Sequence, residues 1–390
     1  MIGWKLQRSS CPLPEVPKKT VVAVVPMIRF VALHQPAMPQ PSKPLFALPW
    51  YAAVVAGLLA IGTAGRVAAA EQLPEQDKRS YAVFDALFLQ RNNAAVDRAV
   101  VVDTSSGTAT TAIAAGDPTS TIGTGARLLY GNYGAEDIGW EVGYLGVYGM
   151  SAVSQATSAG AGLQAPGNVF STQTGLNSGV SAKVTDNASV NSVECNLVFH
   201  NYDGGFNRRS GRPWQRVDWY DGGHVDWIGG FRWANLEDAA VLGITPQGQA
   251  ASSSYSVNTS SNLFAAQVGT RGRLAFEQWA VEGWMKIGIA GTAISQSQSM
   301  SDAFSATPFR KPRSSNTAGM GMIADMNLSA IYRIDDVWGF RVGYNLMWLT
   351  GVGLAPDQWD FSPSQAGGTG INSTGSLFLS GANLGLEARF

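Results

Sequence analysis

From Ser80 to the carboxyl terminus the chain alternates between apolar and polar positions in short blocks. That period of two is the signature of strands whose successive side chains face opposite ways. In one block Trp338, Phe340, Val342, Tyr344, Leu346 and Trp348 share a parity, against Gly339, Arg341, Gly343, Asn345, Met347 and Leu349. In another, Ile138, Trp140, Val142, Tyr144 and Tyr148 oppose Gly139, Glu141, Gly143, Leu145 and Val147. In a third, Val193, Cys195, Leu197 and Phe199 oppose Ser192, Glu194, Asn196, Val198 and His200. The pattern predicts about ten strands, in order Ser80–Arg91, Ile122–Gly131, Asp137–Gly149, Ser189–Asn201, Val225–Glu237, Ser261–Arg271, Leu274–Ala290, Met320–Arg333, Val337–Thr350 and Thr374–Phe390.

A soluble β-sandwich alternates as well, so the placing of the aromatics matters more. Trp338 and Trp348 lie ten residues apart on one face. That is about 33 Å along a strand and about 25 Å in height once tilted, the separation of two aromatic girdles at membrane interfaces. The connections add a second pattern. Tight turns are expected at Asn132–Glu136, around Gly272 and at Ile334–Asp336. Long Ser/Thr/Gly-rich stretches fall at Asn92–Thr121, Met150–Ala188, Asp238–Ser260, Gly291–Gly319 and Gly351–Ser373. From a periplasmic amino terminus the tight turns land inside and the long loops outside, the asymmetry of outer-membrane barrels. Tyr202–His224 breaks this rule as a long periplasmic segment, so the count could reach twelve. The expected fold is therefore all-β: a transmembrane antiparallel β-barrel of about ten strands (ten to twelve) with long extracellular loops.

Composition agrees. Charged residues are 14% of the chain, against roughly 25% in soluble domains. The mean hydropathy of +0.00 is what two opposed faces average to. A net charge of -1 excludes a nucleic-acid partner that works through a basic face.

Ahead of the strands, the uncharged run Pro44–Gly65 follows Lys43 and precedes Ala68-Ala69-Ala70. That order predicts a signal peptide over residues 44–70, cleaved after Ala70, with an uncleaved anchor as the alternative. Residues 1–43 read as a non-native or over-annotated extension and 71–390 as the barrel. Cys11 falls in the extension, so the exported chain keeps Cys195 alone and has no internal disulfide.

The last strand sorts Phe378, Ala382, Leu384, Leu386, Ala388 and Phe390 onto one parity and Asn383, Gly385, Glu387 and Arg389 onto the other. Its end resembles the assembly signal of bacterial outer-membrane barrels, with Asn383, Gly385, Ala388 and Phe390 in the motif positions. Outer-membrane lipid and the barrel-assembly machinery are the partners this implies. Gly125–Gly131, Tyr255–Gly269, Val342–Trp348, Pro356–Asp360 and Leu384–Phe390, in this order, resemble the beta barrel porin-7 family of bacterial outer-membrane proteins. The chain departs from that family at Arg212–Gly230, where Val217-Asp218-Trp219 and Val225-Asp226-Trp227 look like a local duplication. The resemblance implies a secreted outer-membrane barrel and carries over no catalytic or binding residue.

Enzyme chemistry finds little footing. His200 and His224, with Asp203, Asp221 or Asp226, match no metal-ligand spacing. Gly319–Ala324 fits a loose dinucleotide fingerprint but leads into a strand. There is no G-x-S-x-G elbow, and adjacent carboxylates such as Asp335-Asp336 point apart on a strand. Asp357 and Asp360 are too few for a Ca²⁺ site. No cofactor and no enzyme activity are expected.

The inward face is the candidate site. It should carry Asp85, Arg127, Glu141, Glu194, Asn196, Arg232, Glu282, Lys286, Asp325, Asn327, Arg341, Asn345, Glu387 and Arg389. Mixed charges of this kind suit a narrow passive channel for small solutes. They equally suit a closed structural or surface-recognition barrel in which they fill the interior and pair. A lipid-modifying enzyme is the third and weakest reading.

Overall fold

The computed structural model describes residues 80–92, 95, 97–133, 138–168, 175–199, 223–275 and 278–390. The expected signal peptide and extension, His200 and most of the Tyr202–His224 connection lie outside the described residues. Thirteen strands occur in the order β1 (Ser80–Asn92), β2 (Ala99–Asp103), β3 (Thr110–Ala114), β4 (Ile122–Tyr133), β5 (Ile138–Thr157), β6 (Leu163–Gln164) and β7 (Gly179–Phe199). They continue as β8 (Gly223–Pro246), β9 (Ser253–Ala275), β10 (Trp279–Ser301), β11 (Arg313–Arg333), β12 (Trp338–Val352) and β13 (Gly375–Arg389). Ten of them close a barrel in the circular order β7-β5-β4-β1-β13-β12-β11-β10-β9-β8, with every neighbour antiparallel. The short strands β2, β3 and β6 extend the sheet beside β7. Each strand expected from the alternation is found.

The outward face explains why the sequence folds this way. Phe84, Leu128, Val142, Leu197, Phe231, Val268, Ile287, Ile289 and Leu386 are all exposed. A continuous apolar surface of this extent far exceeds what water tolerates on a monomer, and it is the face a bilayer requires. Tyr130, Trp140, Phe199, Trp227, Trp279, Tyr332 and Trp338 ring it near the end that carries Ser80 and Phe390. Toward the other end Tyr148, Phe264 and Trp348 mark a second level.

The loops need correction. Met150–Ala188, Asp238–Ser260 and Gly291–Gly319 are largely strand, because β5, β7, β8, β9, β10 and β11 run on for 20 to 24 residues. At about 3.3 Å per residue that is about 65–80 Å of strand, well beyond the ~25 Å apolar band. Outside that band the outward positions turn polar: Ile287 and Ile289 give way to Ser295, Ser297 and Ser299 on β10. The inward positions Ile294, Gln296 and Gln298 stay buried. Apolar alternation fades there although the strand continues. Asn92–Thr121 likewise contains the β2–β3 hairpin.

The turn expected around Gly272 is absent. Gly272 lies inside β9, opposite Gly283, and β9 runs on to Ala275. Arg271 and Arg273 read as turn polarity in the sequence, but both are buried inside the barrel.

The wall is uneven in height. Strands β1, β4, β12 and β13 have 13, 12, 15 and 15 residues, so the side they form stops far below the rim of the other six. First and last strands meet in this low side, from Tyr81 opposite Arg389 to Asn92 opposite Phe378. Gly385 is required at that seam, since a Cβ there would sit 2.1 Å from Asp85 Oδ1 and 2.3 Å from the Phe84 carbonyl. Of the other assembly-signal positions, Asn383 is buried inside, Ala388 lies opposite Trp338, and Phe390 is exposed with its backbone bonded to Ser80.

Candidate functional site

The inward residues of β1, read from the terminal end, are Tyr81, Val83, Asp85, Leu87, Leu89 and Arg91, all buried. They announce three tiers that the neighbouring strands repeat.

The lowest tier is ionic. Thirteen of the fourteen inward candidates are buried, and the side chain of the remaining one, Glu194, is 12% exposed. Arg341 Nη1 donates to Glu282 (3.0 Å) and Glu387 (2.6 Å), and its Nε lies 3.6 Å from Asp85. Arg389 pairs with Glu387 and Glu282. Across the barrel, Arg232 donates to Asp325 (2.8 Å) and Lys286 to Glu194 (2.6 Å) and Glu141 (3.0 Å). Arg127 reaches Asn345 (2.6 Å), which joins Asn327 and Asn383 in an amide cluster. Asn196 donates to Glu141 (3.1 Å).

Sequence reasoning missed several members. Arg271 pairs with Glu141 and donates to Tyr81 (2.7 Å). Arg273 donates to Glu387 (2.7 Å), Gln267 to Asn196 (2.6 Å), and Tyr133 to Asp226 (3.0 Å). Trp284 lies under Arg127, whose guanidinium carbon is 4.9 Å from the ring centroid. Parity could have found Trp284, between Glu282 and Lys286, but the misplaced turn hid both arginines. Among the described residues the tier sets seven cations (Arg127, Arg232, Arg271, Arg273, Lys286, Arg341, Arg389) against seven carboxylates (Asp85, Glu141, Glu194, Asp226, Glu282, Asp325, Glu387). Seven against seven leaves no net charge, which matters where lipid surrounds the wall and an unmatched charge has nowhere to go.

Above it lies an apolar belt of Leu87, Leu89, Leu145, Val147, Val190, Leu236, Leu263, Ile323, Leu349 and Leu379, closed by Leu354. The candidate list, chosen for polarity, contains none of these.

The third tier is made of chain rather than side chains. Gly351, at φ +71, turns the segment after β12 into the barrel. Gly353 N donates to Ser261 Oγ (3.1 Å) and Thr259 Oγ1 donates to the Gly353 carbonyl (2.8 Å). The Ala355 amide donates to Asp238 Oδ2 (2.8 Å), and Asp238 shares Arg91 with Asp186. The 3-10 turn Ala355–Gln358 is wholly buried, and Trp359, 2% exposed, donates Nε1 to the Tyr255 carbonyl (3.2 Å). Arg98 donates to the carbonyls of Pro356 (3.1 Å) and Trp359 (2.8 Å), and Arg310 to that of Asp360 (2.6 Å). Burial pulls the Asp360 carboxyl upward, but the amides of Ser362 and Gly368 and the Arg310 guanidinium outweigh it and hold the carboxyl below its usual range. Its oxygens are thus committed to the loop itself.

Of the histidine and aspartate set, Asp226 faces Tyr133, His224 is half-buried, and His200, Asp203 and Asp221 lie outside the described residues. Among the described residues no three His, Cys, Asp or Glu side chains are arranged to hold a metal ion.

No family model matches the chain, and no curated protein matches it. Among solved structures, the outer membrane protease OmpT from Escherichia coli is 9% identical, with TM-score 0.45, covering 80% of this chain and 97% of that one. A major outer membrane protein from Thermus thermophilus is 9% identical, with TM-score 0.32, covering 80% and 98%. The Ralstonia pickettii toluene transporter TbuX is 12% identical, with TM-score 0.22, covering 80% and 90%. None of these likenesses carries an argument about activity; the barrel stands on its own strand closure.

Proposed function

We propose that this chain is a bacterial outer-membrane barrel with a shut lumen, acting through its distal face rather than conducting solutes or catalysing a reaction. The observation that supports this is the filling of the interior at three levels, the Arg341–Glu282–Glu387 tier, the Leu87–Leu379 belt and the Trp359 cap. Inward charges that meet one another are spent on pairing, and an apolar belt is a barrier to ions. Export by the predicted signal peptide, insertion through the carboxyl-terminal strand and membership of the beta barrel porin-7 family belong to the same proposal. The apolar outer belt and its aromatic girdles support the membrane placement.

The test is a planar-bilayer recording on the refolded barrel, its folded state verified by a heat-dependent shift in gel mobility. Silence is expected. Discrete conductance steps that change when Arg341 is replaced by Glu would establish the narrow-channel reading instead.

A further inference from the structure

The low side of the wall leaves a strand edge bare. Strand β11 pairs with β10 from Arg313 to Tyr332, but with β12 from Met322 onward. At the level of Gly351 the chain leaves the wall for the interior, so the segment Arg313–Gly319 has a neighbour on one side alone. The Met322 amide points toward β12, where it donates to Thr350 Oγ1 (3.0 Å). Backbone direction alternates along a strand, so the N–H and C=O groups of Ser314, Asn316 and Ala318 point into the same gap. No hydrogen bond of the described residues meets those groups. A Cβ at Gly319 would crowd Thr292 Oγ1 of β10, at 3.2 Å, and meet no other atom within 4 Å.

This edge stands in water, since its outward residues Ser314 and Asn316 are polar and the apolar surface begins at Met320. The β3 edge differs. β3 is 5 residues long and its Ala114 amide is already capped by Asp117 (2.6 Å). An exposed edge of this length is a template for a further strand.

We propose that the β11 edge from Arg313 to Gly319 binds an extended peptide segment of a partner, added antiparallel and acidic toward its carboxyl end. Antiparallel addition puts the partner's last residues beside Arg313 and Lys311, both at the distal start of the strand. Carboxylates there meet two cations, whereas a second copy of this chain added antiparallel would bring its Gly319–Gly321 end there, which has no carboxylate. The inference deepens the distal-recognition reading and rests on it.

The experiment is fluorescence anisotropy on the folded, detergent-held barrel. The probe is a fluorescein-labelled peptide of alternating threonine and valine ending in two glutamates. Binding should weaken at least tenfold in Ala318→Pro, which removes one edge N–H and leaves the β10 ladder intact. It should fail when alternate amides of the peptide are N-methylated. In Lys311→Glu/Arg313→Glu the preference should pass to a peptide ending in two lysines. No binding, equal binding of both peptides, or binding that survives Ala318→Pro overturns the proposal. So does a barrel that ignores peptide but self-associates in sedimentation through Ala318. Conductance on the same sample reads the plug and not the edge, so failure here is distinguishable from failure of the closed-barrel reading.

Discussion

Near the end that carries Ser80 and Phe390, Arg271 reaches across the barrel to Tyr81 and Glu141, whereas at the distal end Asp238 holds the backbone amide of Ala355. The first region is filled by long side chains from the wall, the second by a returning loop. The difference follows the wall. Where all ten strands are present, arginines from opposite sides meet carboxylates midway. Where β1, β4, β12 and β13 have ended, no opposite wall exists, and the segment after Val352 takes its place. The two halves fill the interior by different means.

The contrast can be broken at either end. Arg341→Ala should have the largest effect, about 3–5 kcal/mol in urea unfolding, because Glu282, Glu387 and Asp85 lose a shared buried cation. A loss under 1 kcal/mol would mean that water reaches this tier. Trp359→Ala should cost about 3 kcal/mol, the low end for a buried Trp, and the damage should be local. Protease should then cut between residues 360 and 372 while the barrel keeps its heat-dependent gel shift. Conductance should stay absent, since the belt and the ionic tier still close the lumen; current in this variant would place the seal in the cap alone. Asp238→Ala frees the buried Ala355 amide and leaves Arg91 paired with Asp186 alone; it should cost about 1–3 kcal/mol, again read by cleavage of that loop.

Acid gives the smallest effect. The Asp360 carboxyl is held below its usual range by the Ser362 and Gly368 amides and Arg310. A depressed folded value means its stabilisation is complete above the ordinary carboxylate range and is lost as pH falls through the folded value. Pepsin digestion of the loop should accelerate between about pH 5 and about pH 2, and Asp360→Asn should remove that dependence. An unchanged profile in the variant would sink the assignment.

The sequence made the ten strands and the inward charges legible because both follow from a period of two. Glu141 and Arg341 could be placed by parity alone, as could the exposed Trp140 and Trp338. What stayed hidden depends on where a strand stops. Ser295, Ser297 and Ser299 look like loop because their neighbour is water and not lipid, although Ile294 and Gln296 carry the strand on. Arg271 and Arg273 look like a turn for a related reason: two cations flanking Gly272 give no sign of the carboxylates they meet from β5, β10 and β13. The cap was invisible, since nothing in Ala355–Trp359 says that a loop turns inward.

The seam between β1 and β13 has a consequence in time. Tyr81 is partnered by Arg389, and Ser80 exchanges backbone hydrogen bonds with Phe390. The first strand therefore waits for the last residues before its second edge is satisfied. Closure of this cylinder waits until β13 has been made, and a pairing between strands so distant in sequence is slow. Until then the chain must be kept from aggregating, with β1 and the preceding strands exposed.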